Sequence, residues 1–189
     1  MKKVILFALT AFIWSITSYS QTVAIKNNLL YDATLTPNLG LEFGLAKKST
    51  LDLHAGYNPF KFSNGKRFKH WLVQPEYRYW VCEKFNGSFW GVHLHGGQYS
   101  VGGIKLPFGM FPSLKDYRYE GFFVGGGVSY GYQWMLGKRW NLEAAIGVGY
   151  AYLGYDKYPC KDCGPKIKSD HRHYFGPTKA AISIIYIID

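Results

Sequence analysis

Beyond Gln21 the sequence holds no long apolar run, and its mean hydropathy is slightly negative. A membrane-spanning helix needs about 20 consecutive apolar residues, so none is encoded there. Acid is scarce: 12 Asp and Glu stand against 22 Lys and Arg, a formal net charge of +10. Cysteine is scarce too, with three residues, Cys82, Cys160 and Cys163. In an exported chain that number predicts one disulfide and a spare thiol. No repeat beyond a hairpin period is visible and no linker divides the chain, so its 189 residues suit one domain.

The first residues carry an address. Lys2 and Lys3 precede an apolar run over 4–14, and Ser18-Tyr19-Ser20 makes a small-x-small exit. That layout predicts a secretory signal peptide over 1–20, cleaved before Gln21, with the folded domain over 21–189. The run is too short for a spanning anchor. No cysteine follows the cleavage point, so no lipoprotein anchor is indicated.

Aromatics make up 19% of the residues, and there are 22 glycines. Together they point to many short strands with aromatic edges. The clearest stretch is N-L-G-L-E-F-G-L over 38–45. Leu39, Leu41, Phe43 and Leu45 leave one face, while Asn38, Gly40, Glu42 and Gly44 leave the other, because strand side chains alternate. The large residues are apolar and the opposite face is small or charged, which predicts a strand whose outside is lipid. The same reading extends to eight strands over 23–31, 38–45, 50–58, 71–81, 88–99, 119–134, 141–155 and 174–188. Turns at one end are short, and most connections at the other are long. The expected fold is all-β, an eight-stranded antiparallel up-and-down transmembrane β-barrel in the outer membrane. Tyr31, Tyr57, Trp71, Tyr99, Tyr119, Tyr155 and Tyr174 are expected to ring its outer interface. Tyr79, Phe89, Trp90, Trp134, Trp140 and Tyr186 are expected to ring the inner one. In strand eight, Thr178 is expected on the lipid side and Lys179 inside.

The inward set contains Lys26, Glu42, Asp52, Glu76, Arg78, Glu143 and Lys179, with His54, His93 and His95. Unpaired charges in a narrow bore are costly, so the seven are expected to form an ion-pair network. Eight strands enclose only enough space for side chains, which argues against a wide pore.

Two constellations lie at the outer end. Cys160 and Cys163 form a C-x-x-C, followed by His171 and His173. A local disulfide is the favoured reading, and a zinc site of two thiolates and two imidazoles is the alternative. The outer loops are basic, with Lys61, Lys66, Arg67 and Lys69 in one and Lys166, Lys168 and Arg172 in another. Lipopolysaccharide phosphates or acidic surface glycans suit that charge. Nucleic acid suits the charge but not the exported address. No cofactor is implied.

K-N-N-L-L-Y-D-A-T-L-T-P-N-L-G-L-E over 26–42, C-K-D-C-G over 160–164 and Y-F-G-P-T-K-A-A-I-S-I-I-Y over 174–186 resemble an uncharacterised family of Bacteroidetes outer-membrane barrel proteins. The resemblance implies a barrel in the outer membrane, sometimes encoded beside fimbria-type surface proteins. It carries no established activity and transfers no catalytic residue.

The expected function is therefore non-enzymatic: structural or surface-interaction work in the envelope, with outer-membrane lipid and a surface or fimbrial protein as partners. A small barrel enzyme acting on lipid A, using Ser169, Asp170 and the two outer histidines, is the alternative, as is a narrow channel.

Overall fold

The structure is a computed structural model that describes residues 22–62, 66–103, 117–159 and 164–188. The leader over 1–20 and the pair Cys160 and Cys163 lie outside the described residues. The elements are β1 (Val23–Asn28), α1 (Leu29–Ala33), β2 (Asn38–Ala46), β3 (Ser49–Asn58), β4 (Lys61–Phe62), β5 (Lys66–Trp80), β6 (Gly87–Gly102), β7 (Arg118–Met135), β8 (Trp140–Tyr158) and β9 (Lys168–Ile188).

Every pairing is antiparallel. β1 pairs with both β2 and β9, and β3 pairs with both β2 and β5, so eight strands close a ring. The two-residue β4 is attached to the start of β5. The ring is strongly staggered. Directly paired residues lead from Ile188 through Val23, Phe43, Leu51, Tyr77, Val92, Val128 and Val148 to Pro177, eleven positions back along the strand they left. Closing a sheet requires such a stagger, and it tilts the strands against the ring's axis.

That row is apolar throughout, and it faces out. Val92, Val128 and Val148 are 61%, 54% and 54% exposed, whereas Glu42, Arg78 and Lys26 are 0%, 1% and 2% exposed. The ring is therefore inverted relative to a globular sandwich: charge lies inside and aliphatic bulk outside. Inward glycines let the walls approach. A Cβ on Gly91 would lie 2.8 Å from the Glu76 carboxyl group.

Four expectations are corrected. The strand expected over 23–31 stops at Asn28, because Asn28 caps α1 by accepting a hydrogen bond from Leu30 N at 3.1 Å. Tyr31 thus lies on α1, with its ring 5.4 Å from His54, and does not belong to an outer girdle. Thr178 points inward, since the register slips between Gly147 and Val148 and leaves it as the extra residue of a β-bulge. Phe89 is fully buried, and Tyr99 packs on the inward Phe123 at 6.4 Å, so neither belongs to an interfacial girdle. Finally, the strands run further at their upper ends than expected. Arg67, Lys69, Lys168 and Arg172 sit in β5 and β9, held by pairs such as Lys157 with Lys168. Both faces are polar there, which erases the alternation that marks a strand.

Candidate functional site

The strand periodicity aims seven charged residues from six strands at one point inside the ring. Lys26 on β1 donates to Glu42 on β2 at 2.9 Å and to Glu143 on β8 at 2.7 Å. Its ammonium is 3.6 Å from Asp52 on β3. Arg78 on β5 reaches four carboxylates: Nε donates to Glu76 at 2.7 Å, Nη1 to Glu42 and Glu143 at 2.9 Å each, and Nη2 lies 2.6 Å from Asp52. Lys179 on β9 donates to the second oxygen of Glu76 at 2.6 Å. All seven residues expected to form a network are thus joined. The desolvation of each ion costs several kcal/mol, and close contacts on every side offset that cost.

The network rests on an apolar floor at the short-turn end. Trp80 and Phe89 are buried there beside Ala145 and Ala181, and Phe85 with Ala24 and Ile185. Phe85 belongs to the turn after β5, where a positive φ of 65° folds it back beneath the ring. Asn141 fixes this turn by donating to Phe85 O at 3.0 Å. The two layers are bonded: Trp80 Nε1 donates to Thr50 at 3.0 Å, Thr50 donates to Glu42 at 2.5 Å, and the Arg78 guanidinium sits 4.5 Å over the Phe89 ring. Above the network, His93 is hydrogen-bonded to Thr178 at 2.9 Å, and its ring is 5.7 Å from that of His95. A cavity of about 10 Å³ between Lys26, Tyr31, Asp52, His54 and Lys179 leaves room for roughly one water molecule.

The upper ends of β5 to β9 carry the second candidate region. Glu120 accepts from Arg67 at 3.3 Å and Ser100 at 3.0 Å, and lies 3.2 Å from Arg118. Asp156 accepts from Ser169 at 2.6 Å and lies 3.5 Å from Lys166. The Ser169 hydroxyl bond holds the Asp156 carboxyl below its ordinary range, with Lys166 adding to the effect. Lys168 and Asp170 pair at 2.6 Å, which raises the amine and lowers the acid, the latter helped by the main-chain N–H of His171. The basic rim is thus partly neutralised within itself. Of Lys61 and Lys66 only the backbone places them, paired with Arg67 and Phe62.

His171 and His173 share the outer face of β9 with two tyrosines of β8. Tyr152 stacks on His171, Tyr150 stacks on His173, and Tyr150 Oη lies 2.6 Å from His173 Nδ1. Ser169 bonds to Asp156, and His173 to Tyr150, so the structure assembles no serine–histidine–acid relay from these residues. Among the described residues, no group of three or more His, Cys, Asp and Glu is placed to hold a metal ion. Cys82 is an exposed free thiol.

Sequence reasoning missed Phe85, Trp80, Tyr150 and Tyr152 as parts of these regions. Trp80 has the inward parity of Glu76 and Arg78 on its strand, whereas nothing local marks Phe85.

A family model described as "Protein of unknown function (DUF3575)" matches residues 4–188. The chain belongs to this family. No curated protein and no solved structure matches it. Within this DUF3575 member the buried network is therefore read on its own chemistry. Each carboxylate already meets a cation, Asp52 Oδ1 is left buried without a hydrogen-bond partner, and the bore is closed beneath by Trp80, Phe85 and Phe89.

Proposed function

We propose that this protein is an outer-membrane β-barrel of up-and-down topology whose work is structural or interactive rather than enzymatic. The observation that carries the reading is the inversion of burial. A band including Val92, Leu94, Val128, Ile146 and Val148 is exposed around the whole outside, while Lys26, Glu42, Asp52, Arg78 and Glu143 are buried. Water penalises such a surface, and lipid does not. Tyr79, Trp90, Trp134 and Trp140 are exposed toward the short turns, and Tyr57 and Trp71 toward the other end, where headgroups favour aromatic rings. The filled bore argues against a channel, and the ion pairs that join six strands give the ring a rigid cross-section. The role we assign is to hold the long β7–β9 wall and its loops at the cell surface, against lipopolysaccharide and a surface or fimbrial protein partner. The test is fractionation of cells followed by crosslinking in the intact envelope. The expected result is recovery with outer-membrane lipid, solubilisation only by detergent, and one dominant crosslinked protein. Recovery in a soluble fraction without detergent would overturn the reading.

A further inference from the structure

The outer face of β9 carries two histidines that no part of the proposed role uses. His171 and His173 are two residues apart on one strand, so their side chains leave the same face. Their ring centroids are 5.7 Å apart and their planes are nearly perpendicular, at 88°. Two imidazoles on one side of a strand at this spacing are close enough to share one ion, each at the ~2.0–2.1 Å that imidazole ligation needs. Both residues are exposed, so hydration of the remaining positions is open.

The surroundings hold the rings in place. Tyr152 stacks on His171 at 5.7 Å with an interplanar angle of 21°. Tyr150 stacks on His173 at 5.9 Å and 26°, and its hydroxyl meets His173 Nδ1 at 2.6 Å. Either atom of this contact can be the donor; in the tautomer with the proton on Nδ1, His173 donates to the tyrosine oxygen and Nε2 keeps its lone pair, the form that a metal ion at Nε2 would select. This is how an outer partner fixes the tautomer of a metal-ligating histidine. No hydrogen bond ties the ring nitrogens of His171 to another described residue. An open groove of about 400 Å³ beside His171 is lined by Tyr152, Asp156 and Asp170, and admits an ion with its waters.

We infer that His171 and His173 form a two-imidazole binding site for a divalent transition-metal ion, with water filling the remaining positions. Neutral nitrogen donors favour Cu²⁺ over Zn²⁺ and Ni²⁺, following the usual affinity order. The site stands whether or not the ring lies in a membrane, because it rests on β8 and β9 alone.

The test is titration of the purified full chain in detergent with copper(II) chloride, alongside H171A, H173A and Y150F variants. All three positions lie on the outer face, and circular dichroism checks that each variant folds. The expected result is one Cu²⁺ per chain with two nitrogen ligands in its paramagnetic resonance spectrum. Each histidine variant should lose the two-nitrogen signature and bind at least tenfold more weakly. Y150F should keep the signature and bind about tenfold more weakly, the lower end of the effect of losing an outer partner. The inference is overturned if the wild-type chain takes up no copper, or if the H171A/H173A double variant binds it unchanged. It is equally overturned if binding persists in that variant but is lost in C160S/C163S, which would assign the metal to the loop thiols.

Discussion

Arg78 and Glu143, 65 positions apart in sequence, face each other across the ring in a two-point fork: Nη1 to Oε2 at 2.9 Å and Nη2 to Oε1 at 3.2 Å. Planar donors matched to a planar carboxylate give such pairs direction as well as strength. Here the fork ties β5 to β8, strands that share no backbone ladder. The ring is braced across its bore and not only around its circumference.

Removal of one partner should therefore cost more than removal of charge in balance. R78M leaves Glu42, Asp52, Glu76 and Glu143 facing only Lys26 and Lys179. Breaking a buried pair in this way costs about 3–5 kcal/mol. R78M/E143Q removes one negative charge as well and should recover part of the loss. Equilibrium unfolding in urea, followed by tryptophan fluorescence, measures both. If R78M/E143Q proves less stable than R78M, the network is not set by charge balance.

A lysine placed on the outside distinguishes lipid from water. Val128 and Val92 are cross-strand partners in the exposed apolar row. V128K should destabilise a chain folded into lipid vesicles by about 2–4 kcal/mol, the cost of lysine near the bilayer midplane. I167K, at the end of the β8–β9 hairpin, should change little. If V128K folds into vesicles as well as wild type, the outer face does not meet lipid.

Alternation made most of this ring legible in the sequence. It placed Leu39, Leu53, Val73 and Val92 outside and Glu42, Asp52, Arg78 and Glu143 inside, as observed. Where it failed, the reason is physical. A count of two carries no information past a bulge, so Thr178 was assigned to the wrong face. Phe89 and Tyr99 had the parity of inward residues, but were assigned to girdles because aromatics gather near strand ends. Phe85 lies in a turn, where no period applies, and only the backbone at φ 65° sends it inward. The ion network was legible as a set of residues. Its geometry was not, because the stagger that brings β1, β5 and β8 to one level is a property of the closed ring.

Phe85 should act as a floor and not as a gate. F85A removes a ring buried against Ala24 and Ile185, and a phenylalanine-to-alanine change in a core costs about 3–5 kcal/mol. Trp80, Phe89 and the ion network still fill the bore above it. Planar-bilayer recordings of F85A should therefore show no more conductance than wild type, while thermal unfolding moves to lower temperature. A stable open conductance in F85A would mean that the upper layers do not seal the ring.

Acid should loosen the upper β8–β9 hairpin. Asp156 and Asp170 both have folded values below the ordinary 3.8, set by the Ser169 hydroxyl and by Lys168 respectively. A carboxyl group lowered on folding binds fewer protons when folded than when unfolded. Its contribution is therefore complete above the unfolded value and lost as pH falls through the folded one. Both residues are partly exposed to solvent, so the effect is local and screened by salt. Carboxyl carbon NMR should place both midpoints under 3.8 at low ionic strength. S169A should raise Asp156 alone, K168A should raise Asp170 alone, and added salt should shrink the K168A effect more than the S169A effect, because only the former is an ion pair. If S169A leaves the Asp156 midpoint where it was, the hydroxyl bond is not what holds that carboxylate, and the pairing of β8 with β9 at this level rests on the backbone ladder alone.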